Sequence, residues 1–324
     1  MKPVIAFFMA ALLAAGNCLA AGNYAERDDV HAFVQELVAE EGFEEQALLD
    51  LFRQAEYKQS IVDAISRPAE KTHTWATYQD IFLTDLRKRR GLAFMRQNRN
   101  ALAAAYETYG VPPVVVTAII GVETMYGRIT GSFRVLDALS TLGFDYPPRA
   151  KFFRQELKSF ILLAREERQP ATSLTGSYAG AMGLGQFIPS SYRHYAVDFD
   201  NDGFRDIWNN RTDAIGSVAN YLAEHGWRRD EPITLRVAGS RAPSDIYNVS
   251  LKPGITVDEL RGLGVSGTGL LPGDEVVSPV LLKGKEGDEH WLGLNNFYVI
   301  TRYNRSRLYA MAVVQLSESL LAGE

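Results

Sequence analysis

The sequence predicts a mainly α chain of the α+β class, with one small β-rich insert. Three observations predict it. Apolar residues recur at helical spacing through most of the 324 residues. One of those helices is apolar nearly all round, the mark of a helix buried inside a domain. The stretch 231–290 changes character, with alternating residues and frequent glycine and proline.

Composition agrees. Hydrophobic residues make up 46% and charged residues 23%, close to globular averages of about 45–50% and about 25%. Disorder, collagen and a polytopic membrane protein are excluded. At roughly 100–200 residues per domain the length suggests two or three folded units. With 34 Lys+Arg against 39 Asp+Glu the net charge is -5. Such a chain lacks the basic balance of a nucleic-acid binder. Its single cysteine, Cys18, excludes a disulfide framework and a multi-cysteine zinc site.

The first twenty residues read as a signal peptide. Lys2 is the only charge before Glu26, and Val4–Ala15 is apolar. A basic start, a short apolar run and a small-x-small ending describe an export leader. Cys18-Leu19-Ala20 places cleavage after Ala20, leaving a thiol-free, periplasmic chain. A lipid-acceptor role for Cys18 is disfavoured by Asn17, where a small residue is expected.

Asp29 to Ser66 reads as helix, ended by Pro68. Asn98–Tyr109 follows, with Gly110 as its C-terminal stop. Pro112-Pro113 opens the all-apolar helix that runs to Tyr126, closed by Gly127. Further helices are expected at Ala150–Glu167, Ser190–Val197, Thr212–His225 and Ser306–Leu321. Ile233, Leu235 and Val237 alternate as a strand.

Glu123 is the only carboxylate or basic side chain between Tyr109 and Arg128. Burial and the negative end of the helix dipole both disfavour its charged form. A general acid working near neutral pH needs that environment. Asp137 is expected to be a surface or capping residue. Downstream, G-A-M-G-L-G-Q-F-I-P-S-S-Y lets backbone and ligand approach closely, with Ser177 and Gln186 as neutral hydrogen-bonding groups. Asp198-Phe199-Asp200-Asn201-Asp202-Gly203-Phe204-Arg205-Asp206 matches the start of an EF-hand loop. Acids fill positions 1, 3, 5 and 9, and Phe204 would offer its carbonyl at position 7. Position 12 is Asn209, not glutamate. Closely spaced aspartates repel one another without a cation, and oxygen donors suit calcium. No organic cofactor is expected.

G-V-E-T-M-Y-G followed by G-A-M-G-L-G-Q-F-I-P-S-S-Y resembles the lytic murein transglycosylases of the membrane-bound lytic transglycosylase B family. The resemblance continues through Asp213–Trp227 and Asn296–Met311. It implies a lysozyme-like catalytic core. That core comprises 105–148, 177–230 and 291–308. It is joined by a helical domain (21–104, 149–176 and 309–324) and the insert 231–290. It also implies cleavage of the β-1,4 bond between N-acetylmuramic acid and N-acetylglucosamine by one glutamate, leaving a 1,6-anhydro end. Glu123 would be that acid and base. Ser177, Gln186, Tyr221, Tyr303, Asn304, Tyr309 and Tyr78 would bind substrate. The family carries a distal aspartate that closes the acidic loop, here Asp213. Met125, Leu184 and Arg305 depart from residues the family often carries, which bears on subsite preference. Glycan strands are the expected partner, with cell-wall synthases or amidases as candidates and a monomeric state. A hydrolytic muramidase, a non-catalytic peptidoglycan-binding scaffold and a calcium-responsive binder are the alternatives.

Overall fold

The computed structural model describes residues 23–66, 74–238, 242–269 and 271–323. The leader, Cys18 and Pro68 lie outside the described residues. Chain contacts separate two units, 1–56 and 57–324. In the first, α1 (Asp28–Glu41) and α2 (Glu45–Arg53) pack Phe33 edge-on against Phe52, with ring centroids 6.1 Å apart. The continuous helical pattern is broken here for a local reason. Gly42 takes a left-handed φ of 67° and its N–H caps the Val38 carbonyl.

The second unit begins with α3 (Gln59–Ser66), α4 (Trp75–Phe82) and α5 (Asp85–Gln97). Thr74 and Thr84 cap the last two by accepting backbone N–H groups. Helix α6 (Arg99–Tyr109) ends at Gly110 (φ 71°), as the sequence suggests. Helix α7 (Pro113–Thr124) is the core helix: nine of its twelve residues are buried. It stops two residues before the predicted Tyr126, because Met125 and Tyr126 both turn left-handed, at φ 50° and 63°.

A two-residue strand β1 (Phe133–Arg134) leads into α8 (Val135–Phe144) and α9 (Ala150–Glu166). Strand β2 (Thr175–Gly176) returns antiparallel to β1. That pairing carries the chain leaving α7 to the start of the glycine-rich segment. Gly131 (φ 91°) makes the approach possible, since a Cβ there would lie 2.1 Å from the Gly176 oxygen. Asp137 is not at the surface. It is 2% exposed and grips Arg134 through two 2.8 Å bonds. Its spacing from Arg134 fits an ion pair across the first turn of α8, which a surface reading overlooks.

Helices α10 (Pro189–Tyr195) and α11 (Arg211–Glu224) follow. The region of 231–290 forms a four-stranded antiparallel sheet. It comprises β3 (Thr234–Val237), β4 (Ile255–Thr256), β5 (Val276–Gly284) and β6 (Gly287–Gly293), in the order β3-β6-β5-β4. Val237 pairs His290 and Leu235 pairs Leu292. With α12 (Val257–Gly262) the sheet encloses its own core of Val237, Val257, Leu260, Val277 and Leu292. Helices α13 (Asn295–Tyr303) and α14 (Arg307–Leu321) close the unit, α14 packing its buried face on α7. Among the described residues no single helix is long and apolar enough to cross a membrane.

Candidate active site

Glu123 sits in the last turn of α7, half-buried. The Tyr309 hydroxyl, from the first turn of α14, donates to Glu123 Oε1 at 2.7 Å. Ser306 caps that helix and so fixes where Tyr309 starts. Burial, and then the Glu123 carboxylate, hold the Tyr309 hydroxyl well above the ordinary phenol range; Tyr303 and Tyr78 contribute further. Tyr303, at the end of α13, is shifted the same way by burial, then Glu123, then Tyr221. The residue is half-buried, and its hydroxyl donates to the Gly185 carbonyl at 2.6 Å. Tyr221 stands edge-on to Tyr303, with centroids 4.7 Å apart. Its hydroxyl donates to the Arg302 carbonyl at 2.6 Å, and burial pushes it up to about 12. These phenols therefore stay protonated near neutral pH.

The glycine-rich segment supplies the adjoining wall. Ser177 Oγ accepts the N–H groups of Ala179 and Ala181, at 3.3 and 3.1 Å. The serine thus folds its own turn. Gln186 is left-handed (φ 52°), and its amide donates to the Thr130 and Gly183 carbonyls, at 3.2 and 3.0 Å. The bond to Thr130 ties the segment to the chain that leaves α7. Gly185 admits Tyr303: a Cβ there would lie 2.8 Å from the tyrosine hydroxyl. Asn304 is extended and half-buried immediately after α13. Tyr78 is buried on α4, its ring 4.8 Å from Phe82. Of the predicted residues, the structure links Glu123 with Tyr309, Tyr303, Tyr221 and Tyr78. Ser177 and Gln186 are placed chiefly by bonds to backbone.

In the acidic loop, carboxylate oxygens of Asp198, Asp200, Asp202 and Asp213 lie within 4.8 Å of one another. Backbone shapes the cluster. Asp198 accepts the N–H groups of Asp202 (3.0 Å) and Gly203 (2.8 Å), while Asp213 accepts those of Phe199 and Asp206, both at 2.8 Å. Burial, opposed by those two bonds and reinforced by Asp200 and Asp198, pushes Asp213 up to about 6. Asp206 is not one of the four. Its Oδ1 accepts the N–H groups of Trp208 and Asn209, both at 2.9 Å. Phe204 is 49% exposed.

The transglycosylase SLT domain family matches residues 25–318 of this sequence. The chain belongs to that family. It is 39% identical over 308 residues to the membrane-bound lytic murein transglycosylase B of Escherichia coli K12, covering 92% of this chain and 84% of the relative. Among solved structures it resembles the soluble lytic transglycosylase SltB1 of Pseudomonas aeruginosa, with 52% identity and a TM-score of 0.87 over 91% of this chain and 99% of that one. Escherichia coli Slt35 in complex with calcium is 39% identical, with a TM-score of 0.86 over 94% and 96%. Pseudomonas aeruginosa SltB3 in complex with NAG-NAM-pentapeptide is 33% identical, with a TM-score of 0.77 over 90% and 78%. The chain is thus a lytic murein transglycosylase with a lysozyme-like fold.

Several residues packed around the Glu123 turn carry no clear sequence signal. Thr124 is fully buried beside Glu123, with its hydroxyl bonded to the Leu184 carbonyl at 2.9 Å. Arg87 is buried on α5 and donates to the Gly121 carbonyl and, at 3.3 Å, to that of Ile81. The Tyr126 hydroxyl donates to the Arg87 carbonyl at 2.9 Å. A cavity of about 820 Å³ lies elsewhere. It is bounded by α4, the β5–β6 hairpin and the C-terminal half of α14, and none of the predicted site residues lines it. Beside it Glu289 accepts from Trp75, Gln79, Trp291 and Gln315, pinning the hairpin to α4 and α14. That carboxylate is built to hold elements together.

Proposed function

We propose that the chain cleaves the β-1,4 bond between N-acetylmuramic acid and N-acetylglucosamine in peptidoglycan, with Glu123 as both acid and base. The observation that carries this is the 2.7 Å bond from Tyr309 to Glu123, inside a wall of phenols that stay neutral. Protonated Glu123 gives its proton to the glycosidic oxygen as the muramyl C1–O bond breaks. The N-acetylglucosamine hydroxyl leaves. The Glu123 carboxylate then takes the proton of the muramyl 6-hydroxyl while O6 bonds to C1. The product is a 1,6-anhydro end, and no water is consumed. Hydrolytic glycosidases use two carboxylates about the scissile bond; an internal nucleophile needs one. Ser177, Gln186, Asn304 and the tyrosines 78, 221, 303 and 309 would bind the sugars. Tyrosine suits that role, since its ring covers apolar sugar faces and its hydroxyl hydrogen-bonds. Within the same reading, 105–148, 177–230 and 291–308 form the core that carries the chemistry. The helical segments 21–104, 149–176 and 309–324 flank it, with 231–290 inserted.

The acidic loop would hold a calcium ion in a structural role. Four carboxylates converge, and among the described residues no histidine or cysteine joins them. Asp198, Asp200, Asp202 and Asp213 would bind directly, with the Phe204 carbonyl beside them. Asp206 occupies the EF-hand position that often binds through water. Export by the leader would place the enzyme in the periplasm, where its glycan lies.

Mass spectrometry of muropeptides from a purified sacculus digest tests the reaction. Anhydromuramic ends are expected; reducing muramic acid ends would make the enzyme a hydrolytic muramidase. Glu123→Gln is expected to stop release while sacculus binding persists. Release by that variant would remove Glu123 from the chemistry.

A further inference from the structure

Glu123 is followed by a turn that L residues avoid. Met125, Tyr126 and Gly127 take φ values of 50°, 63° and 81° in succession, and two of them carry side chains. Such a run persists only where its surroundings over-determine it. Thr124 supplies that constraint. Its carbonyl accepts the N–H groups of Arg128 and Ile129, both at 2.9 Å. Its hydroxyl oxygen accepts the Gly127 N–H at 3.0 Å. Three successive backbone donors of the turn thus converge on one residue.

The Thr124 hydroxyl proton has two acceptors within reach, the Ile120 carbonyl at 3.1 Å and the Leu184 carbonyl at 2.9 Å. Ile120 already receives the Tyr126 N–H, whereas Leu184 offers the shorter contact. Leu184 is itself anchored, its N–H donating to the Ile207 carbonyl at 2.9 Å. The bond therefore joins the end of α7 to a fixed point in the glycine-rich segment, two residues from Gln186.

We infer that Thr124 is a positioning residue for Glu123, its hydroxyl tying the last turn of α7 to Leu184 and so fixing the carboxyl against the wall that carries Gln186. The inference rests on the reading of Glu123 as the acid. Bound geometry matters steeply, and a misplacement of about 1 Å can cost on the order of a hundredfold in rate. Valine preserves the shape of Thr124 but can neither donate nor accept. It would leave the Leu184 carbonyl and the Gly127 N–H without this partner.

Thr124→Val is expected to lower kcat on soluble glycan strands by about tenfold or more, with KM within about twofold. Thr124→Ser, which keeps both hydroxyl bonds, is expected to stay within about threefold of the parent enzyme in kcat. Hydrogen exchange at the amides of residues 127–129 is expected to quicken in Thr124→Val and not in Thr124→Ser. An unchanged kcat in Thr124→Val overturns the inference. So does a Thr124→Ser enzyme as slow as Thr124→Val, because packing rather than the hydroxyl would then matter. If Thr124→Val does not fold, Thr124→Ala against Thr124→Ser gives the same comparison. The exchange measurement needs no substrate and reports on the tie alone. Full turnover by Glu123→Gln would instead defeat the reading of Glu123 and leave that measurement standing.

Discussion

The Glu123 site and the acidic loop handle negative charge in opposite ways. At Glu123 one carboxyl stands among phenols, and its bond to Tyr309 comes from a neutral hydroxyl. Gaining or losing a proton there changes one charge and disturbs no ion pair with those phenols. In the loop four carboxylates crowd within 4.8 Å, shaped mainly by backbone N–H groups. Like charges so close raise one another's cost of ionisation. The first arrangement suits a group that must cycle its proton. The second suits a cation. Chemistry and stability should therefore separate between the two regions.

The largest test of that separation falls on the site. Removing a general acid–base typically costs about 10²–10⁴-fold in rate, so Glu123→Gln should lose turnover on that scale while its Tm stays near the parent's. Tyr309→Phe removes only the orienting donor, and kcat should fall about tenfold, the equivalent of one such hydrogen bond. Steady-state kinetics with thermal melts of both variants check this. A Tyr309→Phe enzyme of full activity would mean that Glu123 is oriented by something else.

Calcium removal tests the other side. At a calcium concentration a hundredfold above Kd, a bound ion stabilises the fold by about 2.7 kcal/mol. At about 2–4 °C per kcal/mol, chelation should lower Tm by roughly 5–10 °C. Turnover at 25 °C should stay within about threefold. Melting curves and release assays with and without EDTA measure both. A Tm indifferent to calcium would remove the ion from the loop. A turnover that collapsed well below the melting range would erase the distinction between the two regions.

Each region was legible to the extent that its signal is local. Glu123 stands out because nothing else charged occupies its apolar helix, and the aspartate spacing is readable as a loop. Gly110 announces the end of α6 because a helix stop is a local event. Thr124, Arg87 and Tyr126 gave no such signal. Their partners lie 60, 34 and 39 residues away, at Leu184, Gly121 and Arg87. Asp137 departs from the surface place its sequence suggests because its burial is set by the packing of α8, a non-local matter. The predicted extension of α7 through Tyr126 stops short because Met125 and Tyr126 turn left-handed, a turn held by bonds onto Thr124 and by the reach of the Tyr126 hydroxyl to the Arg87 carbonyl. The tyrosines carry no local signal of their own and stand out only through the family resemblance. That Tyr309 touches the glutamate is visible only in three dimensions.

The smallest expected effect is a pH dependence confined to the loop. Asp213 is pushed up to about 6 from a usual 3.8. Burial is the main cause, and the charges of Asp200 and Asp198 add to it. In calcium-free protein the folded state therefore keeps this proton to higher pH than the unfolded chain does. The associated stability is fully present below about pH 4 and is lost as pH rises through about 6. Calcium reverses the preference, because it binds the ionised carboxylates and competes with the proton. The gap in Tm between calcium-loaded and EDTA-treated protein should thus widen as pH rises from 4 to 7, by a few degrees. Asp213→Asn cannot ionise, so the part of the widening due to this residue should disappear. Melts at matched ionic strength across that range supply the measurement. A gap that is constant with pH, or that widens equally in Asp213→Asn, would mean that Asp213 is not where proton and cation compete. The buried end of the loop would then owe its shape to the two backbone bonds alone.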